Sequence, residues 1–439
     1  PDCFNIPAET MEPQELKLLV WEKLARQLDY LYRHSPFYRD IFDERGLRPE
    51  QIKDEQDLSR LPFTTKDELR ASQERYPPLG DYMAAPWEQV VRIHASSGTT
   101  GIPSYVGITK QDKRTWMEMA ARCAYARGVR RESIVVHGYA LSFFVGGLPV
   151  KDGIEEIGAT FVPLGTGASS DLISAIRRLK ADVLSGTPSY MFYLADYVRA
   201  EFKMEPAELG LKKLIGGGEP GIGIPAIRKR LEDSFNAQAY EAMGNADLGP
   251  VIFAECPEKS GMHFLAPDFI LAEIIDHRGR RVELEDGLEG ELVCTSLDRQ
   301  CNPVLRFRTG DLVKVWTSPC PCGRTGFRIR CLGRLDDMLL MRGVNVFPSA
   351  IQEVVSEFKQ ETNGIIQICL PRPGPRVDPP LKLVVECCLA PNQWPGFKAG
   401  LEQTLREKLI FRADVLLVPP GSLPRGQKKT QLVKISSGN

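Results

Sequence analysis

Residues 90–110 read VVRIHASSGTTGIPSYVGITK, an apolar run, a Gly/Ser/Thr loop and a second apolar run. That order reads as strand, loop, strand. The loop is Ser96-Ser97-Gly98-Thr99-Thr100-Gly101, followed by Ile102-Pro103. A glycine turn can aim backbone amides at one point, and the hydroxyls add donors, which suits a phosphate. It is not a Walker A loop, because no Lys-Ser or Lys-Thr pair follows the second glycine. Alone, such a hexapeptide is a polar turn between strands. What surrounds it decides otherwise. Just downstream, Trp116, Ala120 and Cys123 mark one helix face. Strand and helix signals then alternate through SIVVHGY (133–139), ATFVPLG (159–165), DLISAIRRLK (171–180), DVLSGTP (182–188), SYMFYLADYVRAEF (189–202), KKLIGGG (212–218) and PAIRKRLEDSF (225–235). The alternation predicts βαβ units, largely parallel sheets and an α/β fold.

Working outward, Leu24, Leu28 and Leu31 predict a helix before the loop, and LPFTTKDELR (61–70) predicts a turn and a helix start. Residues 268–332 read mostly as strands with Gly/Asp turns, as in FILAEIID and GELVCTS. The tail predicts a small α/β unit. It has a capping-box pair in Ser349 and Gln352, strands near 365–369 and 381–388, and a helix carrying Phe397, Leu401, Leu405 and Leu409. The domain boundary is placed in GRLDD, giving an N-terminal domain over 1–335 and a C-terminal domain over 336–439.

The chain has 439 residues, 56 Lys plus Arg against 57 Asp plus Glu, and 43% hydrophobic residues. The length suits two or three domains. The charge balance argues against a nucleic-acid binder, and no apolar run reaches the ~18 residues of a membrane span. PDCFNIPAETMEP lacks the basic-then-apolar pattern of a secretory signal, so the expectation is a cytoplasmic protein with reduced cysteines.

Several further clusters carry chemistry. Gly216-Gly217-Gly218-Glu219-Pro220-Gly221 fits G-x-G-x-x-G, but its place mid-chain and its proline favour a turn that lets a flat ligand approach the backbone. In Arg306-Phe307-Arg308-Thr309-Gly310-Asp311, an aspartate after a Thr-Gly turn can accept two ribose hydroxyls. Pro424-Arg425-Gly426-Gln427-Lys428-Lys429-Thr430 puts a lysine on a glycine loop, where it can neutralise charge on a phosphate or carboxylate. Cys256, His263, Cys320 and Cys322 have the residue types of a Cys3His zinc tetrahedron, with Cys301 and Cys331 as substitutes. Tyr139, Phe143 and Phe144 are candidates for an apolar pocket wall.

Taken together these segments resemble the phenylacetate–CoA ligase family of adenylate-forming enzymes. The likeness runs from SPFYRDIFDERGL (35–47) and LPFTTKDELR through RIHASSGTTGIPSYVGIT, the segment 135–167 and SGTPSYM (185–191) to LIGGGEP (214–220), RFRTGDL (306–312), CPCGRTGFRI (320–329), GRLDDMLLMRGVNVFPSAIQEV (333–354) and LPRGQKKTQLVK (423–434). The resemblance implies a large multi-layer α/β N-terminal domain and a small mobile α+β C-terminal domain that turns about Asp336. It implies activation of a carboxylic acid by MgATP to an acyl-adenylate, then thioester formation with coenzyme A. Ser96 to Gly101 become the phosphate loop; Gly217, Gly218, Glu219 and Pro220 the adenine-side turn; Asp311 the ribose aspartate; Arg334 the arginine beside the hinge. Lys429 matches the adenylation lysine, with Lys428 where the family has glycine. Gly343, Val344 and Asn345 form the face for the thiol step, and the C-P-C-G knuckle implies structural zinc.

This sequence also departs from the pattern. The family's aromatic-Gly-x-Thr-Glu signature reads Met243-Gly244-Asn245-Ala246-Asp247, so the magnesium glutamate becomes Asp247, still a hard-cation ligand. GYALSFFVGG (138–147) is two residues longer than the family's stretch, so phenylacetate specificity is not carried over. An aryl or arylacetic acid is the first expectation and a small aliphatic or hydroxy acid the second. Other readings are an adenylating enzyme with a carrier-protein thiol or a phenolic cofactor as acceptor, and a non-catalytic nucleotide-binding relative. Self-association into a homodimer is left open.

Overall fold

The computed structural model describes residues 2–96, 104–165, 169–341, 344–372, 374–424 and 432–435. Among them a twelve-stranded sheet dominates. One half is parallel, built from Ile134–His137, Thr160–Val162, Val183–Gly186, Lys213–Gly217 and Gln238–Asn245. The parallel pairing expected of the alternating segments holds there. From Gly249–Glu255 onward the sheet continues antiparallel through Met262–Phe264, Arg328–Arg334, Phe307–Trp316, Glu289–Ser296 and Ile270–Ile275 to Arg281–Val282. Short turns such as Asp276–Gly279 join neighbours there, so no crossover helix is needed.

The parallel strands are apolar on both sides because both faces are covered. Val136, Leu184 and Leu214 pack with helices Ser169–Leu179, Pro188–Tyr197 and Pro225–Phe235. Their neighbours Val135, Val183 and Ile215 pack with Lys110–Ala126 and Leu148–Glu156 on the other face. Trp116, Ala120 and Cys123 are all buried, as their spacing predicts. Leu24, Leu28 and Leu31 are fully buried on helix Pro13–His34.

Residues 339–433 build a separate core around a four-stranded sheet ordered Ala413–Val418, Leu381–Cys387, Thr362–Leu370, Val433–Ile435. Leu401 and Leu405 of helix Trp394–Leu409 are its fully buried members, while Phe397 and Leu409 are half-buried. One local expectation fails. Helix Pro348–Ser356 has Phe347 at its N-cap and no side-chain cap, so Ser349 and Gln352 make no capping box. Ser349 lies inside the helix, and its hydroxyl donates instead to the Leu332 carbonyl at 2.6 Å. No helix among the described residues is long and apolar enough to cross a membrane.

Candidate active site

The phosphate-loop segment is a hairpin whose strands, Val90–Ala95 and Tyr105–Thr109, pair antiparallel. Ser97 to Gly101, with Ile102 and Pro103, lie outside the described residues. Ser96 closes the base of the loop: its amide donates to the Ser104 carbonyl at 2.9 Å, and the two hydroxyls lie 3.2 Å apart. The Phe143 carbonyl accepts from the Ala95 amide at 3.0 Å and lies 3.1 Å from His94 Nδ1. The loop base is thereby tied to the segment expected to hold the acid.

That segment leaves the carboxyl end of strand Ile134–His137, where α/β sheets place their ligands. The Tyr139 hydroxyl donates to the carbonyls of Gly186 at 2.7 Å and Gly217 at 3.0 Å, the ends of two neighbouring strands. Its ring sits 5.8 Å from Phe144 and 5.2 Å from His137, which is 5.1 Å from Phe161. Burial pushes His137 down to about 3, so the ring is neutral. Tyr139 and Phe144 thus stand together beside the LIGGGEP turn. Phe143 does not join them: it is 58% exposed and faces Tyr105.

In that turn, a side chain at Gly217 would run into the Ala242 carbonyl. Gly218 has φ +86°, a left-handed conformation that favours glycine. Glu219 accepts from the Ser189 amide at 2.7 Å, locking the turn to the start of the preceding helix Pro188–Tyr197. Next to it, Met243, Gly244 and Asn245 end strand Gln238–Asn245. A side chain at Gly244 would strike the Pro250 carbonyl.

Asp247 is buried and already has a cation. Lys66 Nζ lies 2.8 and 2.7 Å from its two carboxylate oxygens. Lys66 opens helix Lys66–Arg75, which is held by a capping box between Thr65 and Glu68. Asp247 therefore does not stand open to a magnesium ion in this conformer. Sequence reading missed Lys66, which lies inside the LPFTTKDELR segment; that motif marked a helix start but not where its first side chain would point.

Arg306, first in RFRTGDL, is structural. Its guanidinium pairs with Glu273 at 3.1 Å, with both side chains almost fully buried, and donates to the Leu61 carbonyl at 2.7 Å. Thr309 Oγ1 accepts from the Asp311 amide at 3.1 Å, shaping the turn. Arg334 then bridges two of the expected residues, lying 3.2 Å from Asp311 and 2.8 Å from Asp336. The aspartate expected at the ribose and the residue expected at the hinge thus share one guanidinium.

Lys428, Lys429 and Gly343 lie outside the described residues, and Asn345 is exposed on hairpin Leu339–Met341/Val344–Val346. The chain leaves the described structure at Pro424 and returns at Leu432. Both residues line one cleft with Ser189, Phe192, Glu219 and Pro220. Glu386, fully buried and not anticipated, anchors the loop's start by accepting from the Leu423 amide at 2.9 Å. Pro424 and Leu432, which flank the expected lysine, therefore lie beside Glu219 and Pro220 of the LIGGGEP turn.

Away from this cleft, the ligand atoms of Cys256, His263, Cys320 and Cys322 all lie within 4.8 Å of one another. Cys256 Sγ is 3.7 Å from Cys320 Sγ, and Cys322 Sγ is 3.4 Å from His263 Nε2. Zinc–sulfur and zinc–nitrogen bonds of ~2.3 and ~2.05 Å give tetrahedral edges of roughly 3.8 and 3.5 Å, so the donor set fits zinc. His263 Nδ1 faces the Gly326 carbonyl at 3.2 Å, leaving Nε2 for the metal, since a ligating histidine commonly donates its other ring N–H to a carbonyl. His263 lies on strand Met262–Phe264, and Cys301 and Cys331 are outside the cluster.

Comparison with known proteins gives the class of a sheet with this hairpin, this turn and a separate C-terminal unit: an acid–CoA ligase that works through an adenylate. Residues 343–434 match the AMP-binding enzyme C-terminal domain family. The chain is 37% identical over 428 residues to the phenylacetate–coenzyme A ligase of Pseudomonas putida, covering 96% of this chain and 94% of that one. It is 34% identical over 436 residues to the enzyme of the same name from Thermus thermophilus, covering 95% and 96%. A 2-hydroxyisobutyryl-CoA ligase in its postadenylation state superposes with a TM-score of 0.91 at 30% identity, covering 100% of this chain and 93% of that one. The same ligase in the thioesterification state, with 2-HIB-AMP and CoA, gives 0.74 at 31% identity, covering 99% and 92%. The chain belongs to the phenylacetate–CoA ligase family of adenylate-forming enzymes.

Proposed function

We propose that the chain joins an aryl or arylacetic acid to coenzyme A through an acyl-adenylate. The observation that carries the acid class is the aromatic wall of Tyr139 and Phe144 beside Gly217 and Gly218. Relatives at 37% identity named for phenylacetate support the same class. A small hydroxy acid is the second reading, favoured by the close superposition on a ligase holding 2-HIB-AMP.

The chemistry sets the demands on the residues. In the first step a carboxylate oxygen attacks the α-phosphorus of ATP, the C(O)O–P bond forms, and pyrophosphate leaves with the electrons of the broken P–O bond. Two anions must meet, so fixed positive charge and oriented donors supply most of the catalysis. Ser96 to Gly101 would hold the phosphates, Glu219 and Pro220 would border adenine, and Asp311 would take the ribose. Lys429 would neutralise carboxylate and α-phosphate, and its loop's roots at Pro424 and Leu432 beside Glu219 support that role. The Lys66–Asp247 pair places a further cation at the end of the Met243–Asp247 segment. In the second step a thiolate attacks the acyl carbon and AMP leaves.

A thiol must enter where Lys429 stood, so the domain over 336–439 would turn against 1–335 about Asp336 and present the hairpin around Val344 and Asn345. The different match to two states of one ligase supports this reading. Zinc, held by Cys256, His263, Cys320 and Cys322, would supply a closed structural crosslink and no Lewis-acid chemistry. Acid-dependent ATP–pyrophosphate exchange across arylacetic, aryl, short aliphatic and 2-hydroxy acids tests the acid class. Preference for an arylacetic or aryl acid is expected; preference for a short hydroxy acid would select the second reading.

A further inference from the structure

The metal knuckle has a buried partner that the ligase reaction does not use. Arg324 follows Cys322 by two residues, and its guanidinium lies beside the Cys322 sulfur. Its Nε donates to Glu9 Oε2 at 2.7 Å, with side-chain exposures of 2% and 0%. Its other arm donates to the Asp2 carbonyl at 3.0 Å. Thr325 adds two bonds: its amide to the Glu9 carbonyl at 3.2 Å and its hydroxyl to the Met11 carbonyl at 2.8 Å. The remaining ties of residues 2–11 run to helix Lys110–Ala126 and the turn after it, through Asn5 to Glu118 at 2.8 Å and Asp2 to Arg130.

We propose that the N-terminal segment 2–11 is a strap whose docking is linked to metal binding at Cys256, His263, Cys320 and Cys322, with Arg324 as the shared group. The inference rests on the zinc reading above. Zinc fixes the Cys320–Cys322 turn, and that turn aims Arg324 and Thr325 at the strap. A Cys3His site carries a net charge of about −1 once three thiolates meet one Zn²⁺, so the cation beside Cys322 supports the loaded state. Glu9 holds that cation in place. Linkage is reciprocal: if metal stabilises the docked strap, the docked strap tightens metal binding by the same factor. Arg324 and Glu9 are positioning residues, since neither touches the metal or the substrates.

The test uses the full chain. Zinc content is measured first, then zinc loss to a competing chelator for wild type, Glu9→Gln and Thr325→Val, and hydrogen exchange of residues 2–11 in wild type with and without zinc. Outer-shell changes commonly cost about 10–100-fold in metal affinity. The expected result is zinc affinity weakened within that range in Glu9→Gln, less in Thr325→Val, and at least about tenfold faster exchange of residues 2–11 once zinc is removed. The wild-type exchange arm needs no variant, so a poorly folding Glu9→Gln leaves the proposal testable. Zinc present with unchanged affinity in both variants, or unchanged exchange on its removal, overturns the linkage alone. A chain that neither carries nor takes up zinc overturns the zinc reading, and the linkage with it.

Discussion

Asp247 shows how one side chain's partner decides what it can do. A carboxylate this buried is costly without a counter-charge, and Lys66 supplies one from a helix start 181 residues away in sequence. Lys66→Met should strand that charge and lower stability by about 3 kcal/mol, toward the smaller end of such losses because Lys66 itself is partly exposed. Magnesium should then recover stability in the variant and not in wild type, since a divalent ion can take the place the ammonium left. Thermal unfolding with and without Mg²⁺ measures this; an equal magnesium response in both proteins rejects the competition. At Lys429 the expectation concerns rate. Lys429→Ala should lose adenylation by roughly 10²–10³ yet still make thioester from a supplied acyl-adenylate. If exchange survives in Lys429→Ala and vanishes in Lys428→Ala, the lysine is its neighbour. His137 offers a pH test. Burial depresses it to about 3 from 6.5, so below pH 6.5 the unfolded chain takes a proton that the folded chain refuses. Its contribution is intact above 6.5 and falls by up to ~1.4 kcal/mol per unit toward pH 3. His94, lowered to about 4 by burial, acts in the same direction. Glu241, raised to about 7 by burial and by Glu255, opposes them between about 4.5 and 7. The comparison is therefore His137→Gln against wild type: the stability gap should narrow as the pH falls, and a gap independent of pH would contradict it.

At the scale of elements, periodicity and punctuation told most. The helix with Trp116, Ala120 and Cys123 was legible because its buried face repeats at helical spacing, and the parallel strands because apolar runs alternate with helices. The antiparallel half was legible as strands but not as an extension of the same sheet, since pairing between Gln238–Asn245 and Gly249–Glu255 depends on a turn around Asp247 rather than on composition. The Ser349–Gln352 cap failed because the helix begins at Pro348, two residues earlier than the motif implies. Long-range partners left no local mark: Lys66 for Asp247, Arg334 for Asp311, Glu386 for the Leu423 amide. The Cys/His set is the exception. Its residue types were distinctive enough to be read across the sequence, and the fold brings their ligand atoms within 4.8 Å. That cluster joins the end of Gly249–Glu255 to the segment before Arg328–Arg334. Chelation should therefore lower the unfolding temperature more than the initial ligase rate, and metal analysis should find about one zinc per chain. Loss of rate without loss of stability would assign the site to catalysis instead.

In the proposed reading, one cleft of the whole molecule serves two reactions in turn. The carboxyl ends of the large sheet's strands bring together Tyr139 with Phe144, the LIGGGEP turn and the Lys66–Asp247 pair, and the separate hairpin that ends at Ser96 is tied beside them through the Phe143 carbonyl. The smaller unit meets strand Arg328–Arg334 through Arg330–Glu353 at 2.5 Å, through Ser349–Leu332 and through Phe347 packed on Gly333, and Ile365, Ile366 and Leu432 face Phe192, Pro220 and Ile227 across the cleft. The most direct measurement of this account is product analysis with the acid that gives the fastest pyrophosphate exchange, carried out with and without coenzyme A. The account predicts acid-dependent exchange in both conditions, with sustained AMP release only when coenzyme A is present and one acyl-CoA thioester formed per AMP. AMP release that neither needs coenzyme A nor yields a thioester, or no exchange with any acid, would contradict it.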